Sequence, residues 1–248
     1  MENKIAVITG GSGNIGQKIC EILKNNKYYV VVFDKVKPKK NFDYFQKIDL
    51  SNHKQIKKIT KNISNKYKSI ELLVNCAAMV GSNKIKGWNT NFFKQSLKSW
   101  NKCLDINLTS VFLVTQILIK NLNRSSKPKI INVSSIYGSL APRFQIYSNS
   151  KINNILAYSV SKAGLEQMTR WLSAFLGNKY SVNSISFGGL QNKQNKKFVR
   201  QYSEYTFKKR MMKIDDIAPV VQFLIDENQN YVTGQNIFVD GGESKLNF

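Results

Sequence analysis

Short apolar runs alternate with amphipathic segments along almost the whole chain. Ile5 to Thr9 has the length and pattern of a strand, and Gly16 to Asn25 follows it with Ile19, Ile22 and Leu23 at helical spacing. Tyr29 to Phe33 is continuously apolar, as a strand covered on both faces must be. Phe45 to Ile48 reads as a further short strand. Ser51 then stands as an N-cap before a helix carrying Ile56, Ile59 and Ile63. The pattern predicts later strands over Glu71–Asn75, Lys129–Val133, Ser181–Ser186 and Asn236–Val239. Between them it predicts helices over about Phe92–Asn121, from Tyr158 to about Leu176, and over about Ile214–Asp226. Val80–Asn91 is a polar loop, and Leu190–Arg210 is basic and aromatic without a clear period. Regular strand–helix alternation implies an α/β fold with a doubly wound parallel sheet, here as one domain without repeats or a long linker.

Composition narrows the function classes. The chain has 248 residues, enough for a sizeable core, and 42% of them are hydrophobic. No apolar run approaches the ~20 residues of a membrane span. The first strand begins almost at once, which leaves no room for a signal peptide, so a cytoplasmic location is expected. Cys20, Cys76 and Cys103 are scattered and show no CxxC spacing, so they read as small buried thiols and not as a disulfide framework or zinc site. The single histidine, His53, lies in a polar segment, which argues against a histidine metal centre or a Ser-His-Asp triad. The formal net charge is +23, but the lysines are spread over the chain. That argues against a nucleic-acid patch and for general attraction of anionic substrates.

Two motifs carry chemistry. Thr9-Gly10-Gly11-Ser12-Gly13-Asn14-Ile15-Gly16 lies between a predicted strand and a predicted helix. In that context glycines let the backbone approach a pyrophosphate, and the helix N-terminus supplies N–H donors. Asp34 ends the second strand, where it can accept hydrogen bonds from ribose hydroxyls and repel an extra phosphate, which favours NAD over NADP. Lys35 and Lys37 pull the other way. Asp49 follows the third strand and can reach the adenine. The second motif is Tyr158-Ser-Val-Ser-Lys162: its tyrosine and lysine are one helical turn apart and face the same way. An ammonium beside a phenol is expected to lower the phenol pKa and make it an acid/base near neutral pH.

With these residues the chain resembles the short-chain dehydrogenase/reductase family from end to end. The resemblance rests on Thr9 to Gly16, Asp34, Asp49-Leu50, Asn75-Cys-Ala77-Ala, Asn107, Ser134-Ser135, Tyr158 to Lys162, and the tail Tyr231-Val-Thr-Gly-Gln-Asn-Ile-Phe-Val-Asp-Gly-Gly242. It implies a Rossmann-type fold. Tyr158 would be the acid/base. Lys162 would bind the nicotinamide ribose and tune Tyr158, Ser135 would hydrogen-bond the substrate oxygen, and Asn107 would hold a water. Gly10, Ser12, Gly13, Asn14, Ile15, Gly16, Asp34, Asp49, Leu50, Asn75 and Ala77, with Tyr158 and Lys162, would hold the cofactor. A second YxxxK, Tyr147-Ser-Asn-Ser-Lys151, lies at the family's usual distance from the serine pair. Ala163-Gly164 after Lys162, the apolar stripe Leu165, Met168, Leu172, Phe175, Leu176, and the spacing to Val182-Asn183 favour Tyr158. Pro142 to Ala157 then reads as an insertion.

There are departures from the family pattern. Gly13-Asn14 stands in the glycine loop, where Asn14 is tolerable because asparagine accepts left-handed backbone. Cys76 and Ala78 alter the NNAG string, and Phe187 replaces a proline. The strings Val133 to Tyr147 and Phe187 to Lys193 resemble a subgroup tied to bacterial surface-glycan and flagellin-sugar synthesis. The resemblance implies hydride transfer between a nicotinamide cofactor and an alcohol or carbonyl, on a sugar or nucleotide sugar. Arg143, Gln145 and Gly189 are then substrate candidates, with Lys193, Lys196, Lys197 and Arg200 near phosphates, and 188–210 is a lid. A reductase of acyl thioesters or small ketones, served by an acidic carrier protein, is the alternative within this chemistry. A binding protein for nucleotides or nucleic acid that has lost turnover is the alternative outside it. In relatives the helices corresponding to 92–121 and 158–176 pair subunits, so a homodimer or homotetramer is expected.

Overall fold

The computed structural model describes residues 4–80, 85–147 and 153–246. In chain order the elements are β1 (Ile5–Thr9), α1 (Asn14–Asn25), β2 (Tyr29–Asp34), β3 (Tyr44–Lys47), α2 (His53–Lys66) and β4 (Leu72–Asn75). There follow α3 (Leu97–Leu104), α4 (Ser110–Leu122), β5 (Lys129–Ser135), α5 (Phe144–Tyr147), α6 (Leu156–Leu176) and β6 (Ser181–Phe187). The described chain closes with α7 (Lys196–Glu204), α8 (Ala218–Ile225) and β7 (Asn236–Val239). All strands are parallel, in the order β3-β2-β1-β4-β5-β6-β7. The chain winds outward from β1 to β3, then crosses back to lay β4 on the other side of β1. At such a reversal the loops leaving the two strands diverge and open a crevice at their carboxyl ends.

The strands are apolar because helices cover both faces of the sheet. One core joins Ile8, Val30, Val32 and Val74 to α1 and α8 through Ile19, Leu23, Val221 and Leu224. The other joins Val7, Val31, Phe33 and Leu73 to α2 and α4 through Ile56, Ile63, Val114, Leu118 and Leu122. The helical stretch Leu97–Leu122 is long and apolar enough to cross a membrane by length and hydropathy. Here it packs as a core helix, with Leu118 and Leu122 wholly buried against the sheet.

Several local expectations change. Asn52, not Ser51, caps α2, accepting the Gln55 N–H at 3.0 Å, because Ser51 is turned back onto Asp49. The long helix expected over 92–121 starts as a 3-10 turn at Phe92–Lys94 and is interrupted by a π-turn at Asp105–Thr109. The aperiodic 190–210 segment contains α7, and Ile214–Ile217 is a 3-10 turn leading into α8. The α6 stripe is only partly buried: Leu165 is inside, whereas Phe175 stacks on Trp171 at 4.8 Å on the exposed side. Among the described residues after Pro142, α5 runs up to Tyr147, and Lys151 of the second YxxxK lies outside the described residues.

Leu118→Ala should cost about 2–5 kcal/mol, the range for truncating a buried leucine. Urea unfolding monitored by circular dichroism measures it; a loss below 1 kcal/mol would show that the α4 face is not packed as described.

Candidate active site

The crevice is a cleft of about 930 Å³ running from the glycine loop, past the ends of β1, β4, β5 and β6, to Leu190. Its first wall is shaped by missing side chains. Gly10 has φ +71°, and a Cβ there would lie 2.6 Å from the Ala77 backbone. A Cβ on Gly16 would lie 2.1 Å from the Gly10 carbonyl oxygen. The loop therefore folds flat against β4 and delivers the chain directly into α1. Gly13 is the N-cap and has no side chain to satisfy the first N–H groups, and the first turn carries no acidic residue. Those donors and the positive end of the helix dipole suit a phosphate. Asn14 is the first residue of α1 and not a left-handed turn residue, so its expected tolerance of that conformation is not used.

At the far end of this wall, Asp34 accepts the Ser12 N–H at 3.0 Å and the Val36 N–H at 3.2 Å, and it lines the cleft. Lys35 pairs with Asp49 at 2.9 Å, and Lys37 lies 5.7 Å from the centroid of the Phe42 ring. Burial opposes the charge on Asp49, but Lys35 and Ser51 hold its carboxyl below the usual range. Leu50, Cys76 and Ala77 line the cleft; Asp49 and Asn75 do not. Asn75 instead donates to Asn132 at 2.9 Å, and Asn132 donates to Thr169 at 2.8 Å, which ties β4, β5 and α6 together through the core. Ser12, Gly13, Asn14 and Ile15 line the cleft beside Gly10 and Gly16.

The opposite wall gathers Ser135, from the end of β5, with Tyr158 and Lys162 from α6. Burial pushes the Tyr158 phenol up to about 12, against the opposing influence of the nearby Ser135 hydroxyl. Burial also drives the Lys162 ammonium down to about 8. Its Nζ donates to the Val133 carbonyl at 2.6 Å and lies 5.8 Å from the centroid of the Tyr158 ring. The expected lowering of the phenol by this lysine is thus not seen here. Both groups sit in the interior, where desolvation works against both charged forms.

Asn107 lies within the π-turn, wholly buried. There the Ser110 N–H reaches back to the Asp105 carbonyl, a widening often found at functional sites. Its Oδ1 accepts the Met79 N–H at 2.7 Å and its Nδ2 donates to Ser161 at 3.0 Å, so the side chain ties the loop after β4 to α6.

The other tyrosine candidate faces the same cleft. Tyr147 Oη is 2.5 Å from Tyr137 Oη, and both residues line the end of the cleft near Trp88 and Asn154. Gly189 lines it too, whereas Arg143 and Gln145 do not. Arg143 sits 4.5 Å from the centroid of the Tyr205 ring and acts electrostatically on Glu243. The 188–210 segment is anchored and not loose. Tyr202 on α7 accepts the Gly189 N–H at 2.5 Å and donates to the buried Glu243 at 2.5 Å. Burial holds the Glu243 carboxyl up, at about 7. The sequence reading missed Trp88, Tyr137, Tyr202 and Glu243; no short-range spacing marks any of them.

A dinucleotide crevice at the switch point of a seven-stranded parallel sheet, with a tyrosine and a lysine one turn apart on its far wall, defines an NAD(P)-dependent oxidoreductase architecture. A family model described as enoyl-(acyl carrier protein) reductase matches residues 13–244. The chain belongs to the short-chain dehydrogenase/reductase family. It is 29% identical over 256 residues to a post-translational flagellin modification protein A of Campylobacter coli, covering 98% of each chain. It is 27% identical over 260 residues to a 3-oxoacyl-[acyl-carrier-protein] reductase of Thermotoga maritima, again covering 98% of each. A short-chain dehydrogenase of Leptospira borgpetersenii solved with bound NAD+ superposes with a TM-score of 0.86 at 30% identity, over 98% of this chain and 94% of that one.

Gly16→Ala should abolish cofactor binding, because the added methyl meets the Gly10 carbonyl; titration of intrinsic fluorescence with NADH would read it, and binding within twofold of the parent would refute the loop geometry. Glu243 gives a pH test. Its folded pKa of about 7 lies above its ordinary 4.5, so the stability it contributes is complete below about 4.5 and is lost as pH rises through about 7. Melting curves of Glu243→Gln should therefore gain on those of the parent between pH 5 and pH 8. A constant difference across that range would contradict the buried carboxyl.

Proposed function

We propose that this protein interconverts an alcohol and a carbonyl by hydride transfer with NAD(H), on a sugar or nucleotide sugar used in surface-glycan synthesis. The observation that carries the chemistry is the convergence of Ser135, Tyr158 and Lys162 on one wall of the nucleotide crevice, with Ser135 favouring the ionised form of the Tyr158 phenol. The residues fit a dinucleotide. The first turn of α1, with Gly10 and Gly16 clearing the approach, would hold the pyrophosphate, Asp34 the adenosine ribose, and Lys162 the nicotinamide ribose. When bound, the nicotinamide accepts or delivers the hydride. Tyr158 removes the hydroxyl proton in oxidation and returns it in reduction, and Ser135 donates to the substrate oxygen. Lys162 supplies positive charge beside the phenol, and Asn107 fixes α6 by joining Ser161 to the Met79 backbone.

NAD over NADP is supported by Asp34 at the end of β2 and by the pairing of Lys35, the cation lining the cleft beside it, with Asp49. The likeness to the flagellin modification protein supports a carbohydrate substrate. So does the polar end of the cleft, where Tyr137, Tyr147 and Asn154 present hydroxyl and amide groups. The likeness to the acyl-carrier-protein reductase favours the second reading, reduction of an acyl thioester, and the apolar Trp88, Met79 and Leu190 in the same cleft suit it. α7 and the loop before it act as the substrate lid. Phe112, Trp171 and Phe175 are exposed on α4 and α6, which suits burial of these helices between subunits of a dimer or tetramer acting in the cytoplasm.

The test is a panel of free, phosphorylated and nucleotide-linked sugars with NAD+ or NADP+, followed by absorbance of the reduced cofactor. We expect turnover with NAD+ that falls at least about 1,000-fold in Tyr158→Phe and survives in Tyr147→Phe. Turnover only with 3-oxoacyl thioesters would replace the sugar by an acyl substrate, and loss confined to Tyr147→Phe would transfer the acid/base role to that residue.

A further inference from the structure

One charged group beside the site has no part in the reaction as drawn above. Glu166 follows Lys162 by one turn on α6, and its side chain is 4% exposed. A carboxylate taken out of water must be met by donors, or it is strongly destabilising. Here the donors come from both sides of Ser135. Oε1 accepts the hydroxyl of Ser134, the preceding residue, at 2.9 Å. Oε2 accepts the hydroxyl of Ser139, just past the 3-10 turn Ile136–Gly138, at 2.6 Å. Ser186 on β6 places its hydroxyl 3.0 Å from Oε1 and 3.2 Å from the carbonyl oxygen of Ser135 itself. The turn between these anchors rests on the carboxylate: a Cβ on Gly138 would fall 2.3 Å from Oε1.

We propose that Glu166 is a positioning residue which, through these serine hydroxyls, fixes the backbone on both sides of Ser135 and so aims the Ser135 hydroxyl at Tyr158 and the reacting oxygen. The inference rests on the reading of Ser135 as the donor to that oxygen. A carboxylate suits the task because it accepts several hydroxyls at once, and charge-assisted bonds are shorter and stiffer than neutral ones. Placing it on α6 makes one helix carry Tyr158, Lys162 and the anchor of Ser135. The groups that must meet the substrate and the cofactor then share one rigid frame. Displacements of about 1 Å are enough to cost such sites 100-fold in rate.

The experiment is a double-mutant cycle on the full-length protein with a substrate that it turns over. Glu166→Gln keeps the shape but turns one acceptor into a donor. It should lower kcat about 10- to 100-fold while KM and the NADH dissociation constant stay within about threefold. In a Ser135→Ala background the same change should cost nothing further, because the hydroxyl it aims is gone. Ser139→Ala, which removes the donor to Oε2 and the weaker acceptor of Asn236 Nδ2, serves if Glu166→Gln does not fold, and should show the same dependence on Ser135. Equal losses with and without Ser135 would overturn the proposal, since a merely structural role acts in both backgrounds. Unchanged kcat in Ser135→Ala alone would instead remove the reading of Ser135 on which the proposal stands.

Discussion

The site depends on two opposite charges buried one turn apart on α6 and satisfied by the ends of β5 and β6. Lys162 is 2% exposed and donates a hydrogen bond to the Val133 carbonyl; Glu166 is 4% exposed and accepts from the hydroxyls of Ser134 and Ser139. Neither charge could stay in the interior unpartnered. Their partners are backbone and hydroxyl groups at the strand ends, so satisfying the charges also sets where α6 docks. Once α6 is docked, Tyr158 meets Ser135, and the cleft acquires its second wall. Burial also sets the electrostatics: it opposes the charged form of both groups, pushing the lysine down to about 8 and the tyrosine up to about 12.

The first wall follows from a different constraint, contact between backbones. The glycine loop passes so close to the segment after β4 that a side chain at Gly10 would strike Ala77, and α1 starts so close to the loop that one at Gly16 would strike the Gly10 carbonyl. That contact leaves the α1 N–H donors facing the crevice. Asp34 is then held at the rim by two backbone amides, and Asp49 draws Lys35 aside. The sheet reversal between β1 and β4 makes these parts adjacent, although they lie far apart in the chain.

The substrate end is built differently again. A phenol pair, Tyr137 and Tyr147, closes the polar side, while Tyr202 and Glu243 clamp the Gly189 peptide from beneath. Tyr202 sits where a Cβ on Gly189 would be 2.6 Å from its ring, so α7 cannot press this close on any other residue. α7 is therefore coupled to the C-terminal segment as well as to the cleft. Arg143, attractive in the sequence as an anion ligand, is drawn beneath this assembly by Tyr205 and Glu243.

The chain pattern alone determined what depends on near neighbours. Alternating runs gave the parallel α/β sheet, glycine spacing gave the phosphate loop, the end of the second strand gave Asp34, and the one-turn interval gave Tyr158 with Lys162. Those features follow from local periodicity and from side chains too large or small to be replaced. The preference for Tyr158 over Tyr147 came from the helix that follows it, and in the fold α6 spans 21 residues. What the sequence could not determine arises between distant elements. Glu166 reads as an ordinary polar helix residue until Ser134, Ser139 and Ser186 close on it. Asn107 reads as mid-helix until Met79 and Ser161 take its amide, and Lys162 reads as a charge that tunes Tyr158 until burial weakens it. Each of these depends on which groups the packed interior removes from water, and that is decided only when the strands and helices meet.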